Sequence, residues 1–334
     1  MHCSSRLRSF AAILMMIASA SLMRAQDGGG ALPRDIMGGA ALIFRKPQNP
    51  QVGGGKLGDR PRPRPPSQAQ NQLIAKGNAA RSAPKPRYSE AVKHYSKAAT
   101  LDPTDPRAFA GIGNVYIDQG IWDKAVEQYR QAVNLRSDYV DALMPMGLAL
   151  VQLKQYQEAI DVYVKARAIE PNNPEIHNNL GYIYNQKEAY SEAIQACEKA
   201  IALLGVTGQA FLQGFQTRND VLAHAYKNLG NAYSGLKQYR KAAEALKQAT
   251  VIEPKNAAAH FNLGLTLYNE GRYAEAIVAY KEVVNLRPTL AAGHFNLALA
   301  YLAVNDRAAA IAEYNTLKSL NPKIAEELHV LIKP

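Results

Sequence analysis

Residues 257–290 read AAAHFNLGLTLYNEGRYAEAIVAYKEVVNLRPTL, and this text nearly recurs thirty-four residues later and thirty-four residues earlier. A fixed period of this length constrains the fold more than any local propensity. Each repeat must be one supersecondary unit that can bury its apolar face only against its neighbours. With slots numbered from 1 to 34, slot 4 holds Tyr226, His260 or His294, and slot 7 holds Leu229, Leu263 or Leu297. Slot 8 is small (Gly230, Gly264, Ala298), slot 20 is Ala242, Ala276 or Ala310, and slot 32 is Pro254, Pro288 or Pro322. Small residues at slots 8 and 20 let two helices cross closely, where a long side chain would push them apart. Proline at slot 32 cannot continue a helix and turns the chain into the next unit.

These residues resemble the tetratricopeptide repeat (TPR) family. The resemblance implies an all-α fold: a right-handed solenoid of seven helix-turn-helix repeats closed by a C-terminal capping helix. The phasing places repeats at 72–105, 106–139, 140–173 and 174–207, then at 223–256, 257–290 and 291–324. An insertion occupies 208–222, and 325–334 supplies the cap that a solenoid end requires. The repeats are uneven. Gly77 and Ala91 of the first lie fourteen residues apart instead of twelve, Ser137 replaces the proline of the second, and Pro145 sits early in the third.

The N-terminal part has a different character. Arg6 and Arg8 precede an apolar stretch over 10–23, which reads as a secretory signal peptide over residues 1–25, with an uncleaved membrane anchor as the alternative, and places the mature chain in the periplasm or outside the cell. Residues 26–71 read as a disordered Gly/Pro/Arg linker ending in RPRPRPP at 60–66. Of the net charge of +11, residues 26–68 carry +4 and the much longer 69–334 also carry +4. The basic balance belongs to the tail, and it does not point to nucleic acid.

No segment outside the repeats has the length or composition of a catalytic domain, so the expectation is a protein that is not an enzyme and takes no cofactor. His177, His260 and His294 share slot 4 in different repeats. Successive first helices lie about 10 Å apart, far beyond the ~2 Å reach of a metal's ligands, so these histidines are read as packing residues. Of the 18 tyrosines, 14 fall at slots 11, 17 or 24 and are read as filling. Cys197 is the one cysteine beyond the signal and reads as a small buried hydrophobe.

In TPR solenoids slots 2, 5, 6, 9, 12 and 13 face the concave side. Slot 6 is asparagine at Asn179, Asn228, Asn262 and Asn296. Asparagine is a poor helix former, and its amide can both donate to and accept from a peptide backbone. The pattern is similar to the asparagine ladder of O-linked N-acetylglucosamine transferases, although nothing here matches their catalytic domain. The alternative is a solvated face inherited with the consensus. Lys227, Asn231 and Asn262 also match two of the three elements of TPR domains that clamp a terminal carboxylate, while Ala292 and Asn296 stand where the third needs cations. Tyr182 occupies slot 9 of its repeat, and Phe261, Leu265 and Phe295 make the far end apolar. In the insertion, Phe211 and Phe215 either pack on the adjoining repeats or form a flap over the groove.

The function expected is a non-enzymatic scaffold that holds a protein or peptide in the concave groove. The alternative is an assembly accessory of an envelope complex that uses the convex face or the basic tail. Export is testable directly: mass spectrometry of the protein from its native host should find the first 20–25 residues removed, and an intact Met1 on the exported chain refutes the assignment.

Overall fold

The computed structural model describes residues 67–206 and 218–333, and all regular structure among them is helical. The elements are α1 (Gln68–Arg81), α2 (Tyr88–Leu101), α3 (Pro106–Asp118), α4 (Trp122–Leu135), α5 (Val140–Gln152), α6 (Tyr156–Ile169), α7 (Pro174–Gln186) and α8 (Tyr190–Val206). After the gap come α9 (Arg218–Gly235), α10 (Tyr239–Ile252), α11 (Ala257–Glu270), α12 (Tyr273–Leu286), α13 (Ala291–Ala303), α14 (Arg307–Leu320) and α15 (Pro322–Ile332). The expected all-α repeat architecture is what the chain adopts. The first helix begins at Gln68, four residues inside the segment assigned to the linker, because Ser67 accepts a hydrogen bond from the Gln70 amide and caps it. Likewise the last five residues assigned to the insertion, 218–222, form the start of α9. The signal peptide, the rest of the linker, and Phe211 and Phe215 lie outside the described residues.

Local chemistry sets where helices start. Asp105 and Asn173 accept from the amide two residues on, with Pro106 and Pro174 at the first helical position. Asn256 accepts from Ala259 N, and Asn321 from Ile324 N ahead of α15. These side chains satisfy amides that a helix start otherwise leaves unpaired.

Two units make up the chain. Among the described residues, one contains α1–α7 with residues 202–206 and Arg218, and the other contains residues 188–201 and 219–333. In both, hairpins close on the same contact. A Cβ added to Gly113 would stand 2.8 Å from the Tyr129 ring, one on Gly147 2.5 Å from Tyr163, and one on Gly264 2.7 Å from Tyr280. The rings of Tyr95, Tyr129, Tyr163 and Tyr280 are buried, as are the slot 20 alanines Ala125, Ala159, Ala242, Ala276 and Ala310. In the second unit Leu246 takes the tyrosine's place against Gly230.

The hairpin turn is built alike in every repeat after the first. Gly120, Lys154, Glu188, Lys237, Gly271 and Asn305 all have φ between 57° and 85°, and all stand at slot 15. The following amide bonds back to the slot 11 carbonyl, as in Gln155 N to Leu150 O, Gln238 N to Tyr233 O and Arg272 N to Leu267 O, each 2.9 Å. This is the left-handed helix stop in which glycine costs no Cβ strain. Two of the six positions are glycine, so the turn at the others holds against strain of about 1–2 kcal/mol per residue.

Replacing Lys237 by glycine should therefore stabilise the fold. Relief of that strain outweighs the extra unfolded-state entropy of glycine, for a net gain of about 0.5–1 kcal/mol. A raised melting midpoint in calorimetry checks it, and a lowered one contradicts it.

Candidate peptide-binding site

In the second unit, α9, α11 and α13 are the first helices of successive repeats and carry most of the residues expected in the groove. Burial divides them. Asn231, Asn262 and Leu265 are half-buried, whereas Lys227, Asn228, Phe261, Phe295 and Asn296 are buried, with Asn228 at 1% and Asn296 at 2% exposure. The slot 6 asparagines thus do not form one exposed ladder, and this corrects the expectation for Asn228 and Asn296.

The C-terminal helix explains the apolar end. Phe295, Leu299 and Ala298 share one cluster with Ala325, Leu328 and Ile332 of α15, and Leu265 and Tyr268 pack against it. The Arg307 guanidinium donates to the Ile332 carbonyl and ties the end of α15 to α14. Phe295 is therefore core under the cap, not groove. Asn296 Nδ2 turns inward to the Ala292 carbonyl of its own helix at 2.8 Å, and its Oδ1 is buried without a partner. Phe261 packs edge-on against the Tyr280 ring at 5.9 Å between centroids, which makes it hairpin core as well.

What remains is a polar seam between α9 and α11, half-buried at Asn231, Ser234 and Asn262 and buried at Thr266. Asn262 Nδ2 donates to Asn231 Oδ1 at 2.8 Å, and one turn further on the Ser234 and Thr266 hydroxyls are 2.9 Å apart. The hydroxyl pair was not legible in the sequence, because neither residue is unusual in a helix and only their pairing gives them meaning. One turn before Asn231, Lys227 is 4% exposed, and burial pulls its ammonium down to about 8 against the opposing pull of Glu253. The adjacent His224 is pulled down to about 3 by burial and then by Lys227. Burial, followed by the like charge of Asp220, raises the Glu253 carboxyl. On the α9 side of the seam Lys227 is thus a desolvated cation beside a neutral His224, with Glu253 after α10 as the carboxylate that acts on it.

Asn179 and Tyr182 lie on α7, in the first unit. Asn179 is half-buried and its Nδ2 donates to the Tyr163 hydroxyl at 3.3 Å. Tyr182 is half-buried, and desolvation pushes its phenol up to about 12. The fold thus brings Lys227, Asn231 and Asn262 together and leaves these two with the other unit.

The slot 4 histidines act as packing residues. The Nε2–H of His177, His260 and His294 donates to the carbonyl of Pro171, Pro254 and Pro288 at 2.8, 3.0 and 2.9 Å. Cys197 is buried with Leu229 and Ala245, and burial pushes its thiol up. Among the described residues no three His, Cys, Asp or Glu side chains gather where a metal ion could be held, and no helix is long and apolar enough to cross a membrane.

Comparison with known proteins agrees with this geometry. TPR repeat models match residues 86–120, 113–153 and 147–188, and tetratricopeptide repeat models match 174–204, 227–291 and 291–324. The chain is 26% identical over 172 residues to anaphase-promoting complex subunit cut9 of Schizosaccharomyces pombe, covering 52% of this chain and 24% of that protein. It is 27% identical over 94 residues to the Hsp70-Hsp90 organising protein of Plasmodium falciparum, covering 28% of this chain and 37% of that one. It therefore spans well under half the length of these relatives. A tetratricopeptide repeat protein of Parabacteroides merdae superimposes with a TM-score of 0.57 at 16% identity, over 80% of this chain and 99% of that one. With hairpins of one register in both units and repeat models matching across more than half of its length, the chain belongs to the tetratricopeptide repeat family.

Proposed function

We propose that the chain is a non-enzymatic, exported scaffold that holds an extended segment of a partner protein along the α9–α11 seam. The observation that carries this reading is the Asn231–Asn262 hydrogen bond. It uses one acceptor and one donor, so the Asn231 amide keeps two N–H donors and Asn262 keeps its carbonyl oxygen. A donor and an acceptor side by side match the C=O and N–H of a peptide backbone whatever its side chains. Lys227, one turn away, gives the seam a cation that favours a carboxylate on the bound segment.

The energetics of Lys227 support a role in binding. A buried charge destabilises a fold unless its compensation is complete, and the pull of Glu253 does not offset the desolvation of this one, for which Phe261 is an apolar substitute at the same slot of the next repeat. The relatives' names, a complex subunit and an organising protein, fit a scaffold class.

Peptides selected from a random dodecapeptide display library on the full chain provide the ligand for a test. The double variant Asn231→Ala/Asn262→Ala should weaken them by about 1–3 kcal/mol, two hydrogen bonds at about 0.5–1.5 kcal/mol each. Lys227→Ala should cause a further loss that shrinks as salt is raised. Unchanged affinity in the double variant places the binding elsewhere on the molecule.

Stability should move the opposite way. Lys227 has a folded pKa of about 8 against an ordinary 10.5. Between those values the unfolded chain holds a proton that the folded chain lacks, so stability rises with pH through that window. The penalty is fully present below pH 8 and amounts to about 3 kcal/mol. Lys227→Met should therefore melt higher than the natural chain at pH 7, and the gap should narrow at pH 10. A lower midpoint for the variant at pH 7 contradicts the assignment.

A further inference from the structure

The last residues of α2, α4 and α6 are Leu101, Leu135 and Ile169, each at slot 30 of its repeat. They are 57%, 37% and 38% exposed, and no other large hydrophobic is exposed among the described residues of α1–α7. Single exposed apolar residues are ordinary. Three in register form a stripe along the edge where each repeat connects to the next, and offer an occupant one contact per repeat.

The same edge is acidic. Residues 101–107, 135–141 and 169–175 hold six carboxylates against two arginines, a net charge of −4. Both arginines are engaged: Arg107 pairs with Asp105 at 2.6 Å, and the Arg136 guanidinium lies 3.9 Å from the centre of the Tyr139 ring. Asp102, next to Leu101, is half-buried, and Asp138 is exposed. An occupant of this edge must therefore bring apolar side chains and cations together.

The chain carries such a segment itself and delivers it here. Ser67 caps α1, whose first turn sits on the first connection. Gln70 Nε2 donates to Asp105 Oδ2 at 3.0 Å, and the Arg107 guanidinium donates to Asn71 Oδ1 at 2.9 Å. Residues 42–64 begin with Leu42, Ile43 and Phe44 and continue with six lysines and arginines against Asp59, a net charge of +5. From Phe44 to Ser67 the backbone can reach up to about 75 Å. That is several times the two helix-to-helix steps, about 10 Å each, between Leu101 and Ile169. The tether also keeps the segment at an effective concentration on the order of millimolar, where a weak contact is enough.

We infer that the connection edge of the first unit is a docking surface for the chain's own residues 42–64. Leu42, Ile43 and Phe44 cover the stripe of Leu101, Leu135 and Ile169, and the cations that follow lie along the acidic connections. The dock uses no residue of the α9–α11 seam, so it stands or falls independently of the proposed function.

The test puts the photo-cross-linker p-benzoylphenylalanine in place of Phe44 in the full chain, irradiates it in dilute solution and maps the product by mass spectrometry. Cross-links within one chain to the segments carrying Leu101, Leu135 or Ile169 are expected, with a yield that falls as salt is raised. Leu135→Lys with Ile169→Lys places cations on the stripe at exposed positions. It should lower the yield about tenfold, the loss of one apolar contact, at an unchanged melting midpoint. If the lysines disturb folding, Asp102→Asn with Asp138→Asn leaves the apolar stripe intact and should still lower the yield and flatten its salt dependence. No cross-link, cross-links spread over the surface or fixed on the seam, or an undiminished yield in the folded double variants overturns the inference. Products that join two chains overturn it as well and assign the stripe to a second copy.

Discussion

The structure depends on one close approach: a first-helix glycine backbone laid against a second-helix side chain, an aromatic face at Gly77, Gly113, Gly147 and Gly264 and Leu246 at Gly230. At Gly147 there is no space even for a methyl group before the Tyr163 ring is met. Because the ring is fixed by that contact, the position of its hydroxyl at the far edge is fixed too. Whatever stands there on a first helix is held in place, be it Asn78, Asn114 or the Met144 carbonyl. Packing at the hairpin interior thus determines polar geometry at its edge. Cores of such density transmit small changes in shape to their surfaces.

The same logic separates the asparagines into working classes. Those directly after the first-helix glycine accept on Oδ1 and keep donors, as Asn78, Asn114 and Asn231 do. Those at slot 6 spend their amide on a neighbour: Asn179 on Tyr163, Asn262 on Asn231, and Asn296 on its own helix. One residue type at two registers thus performs two jobs.

This also shows what was legible. Glycine, alanine and proline at fixed slots announce the hairpins because steric demands act on residue identity itself. The left-handed slot 15 was hidden, since only Gly120 and Gly271 advertise it while Lys154, Glu188 and Lys237 are carried by the surrounding turn. The slot 6 asparagines looked like a ladder because sequence spacing records register but not cover. Only the seat of α15 on Leu299 shows that Phe295 is enclosed. Lys227 was recognised as a groove cation, but its burial depends on neighbours distant in sequence. The tyrosine-held asparagines were missed because a hydrogen bond between helices leaves no local pattern.

The three histidine–proline contacts have a consequence for the joints between repeats. Each joins a first helix to the carbonyl of the slot 32 proline six residues earlier, across the boundary where one repeat ends and the next begins. The contact therefore couples the segment that ends one repeat to the first helix of the next, independently of the hairpin turn. At His294 the ring is gripped on both sides, because its Nδ1 also lies 2.6 Å from Glu313 Oε2 on α14, so the last of these joints is tied to its own hairpin's second helix as well.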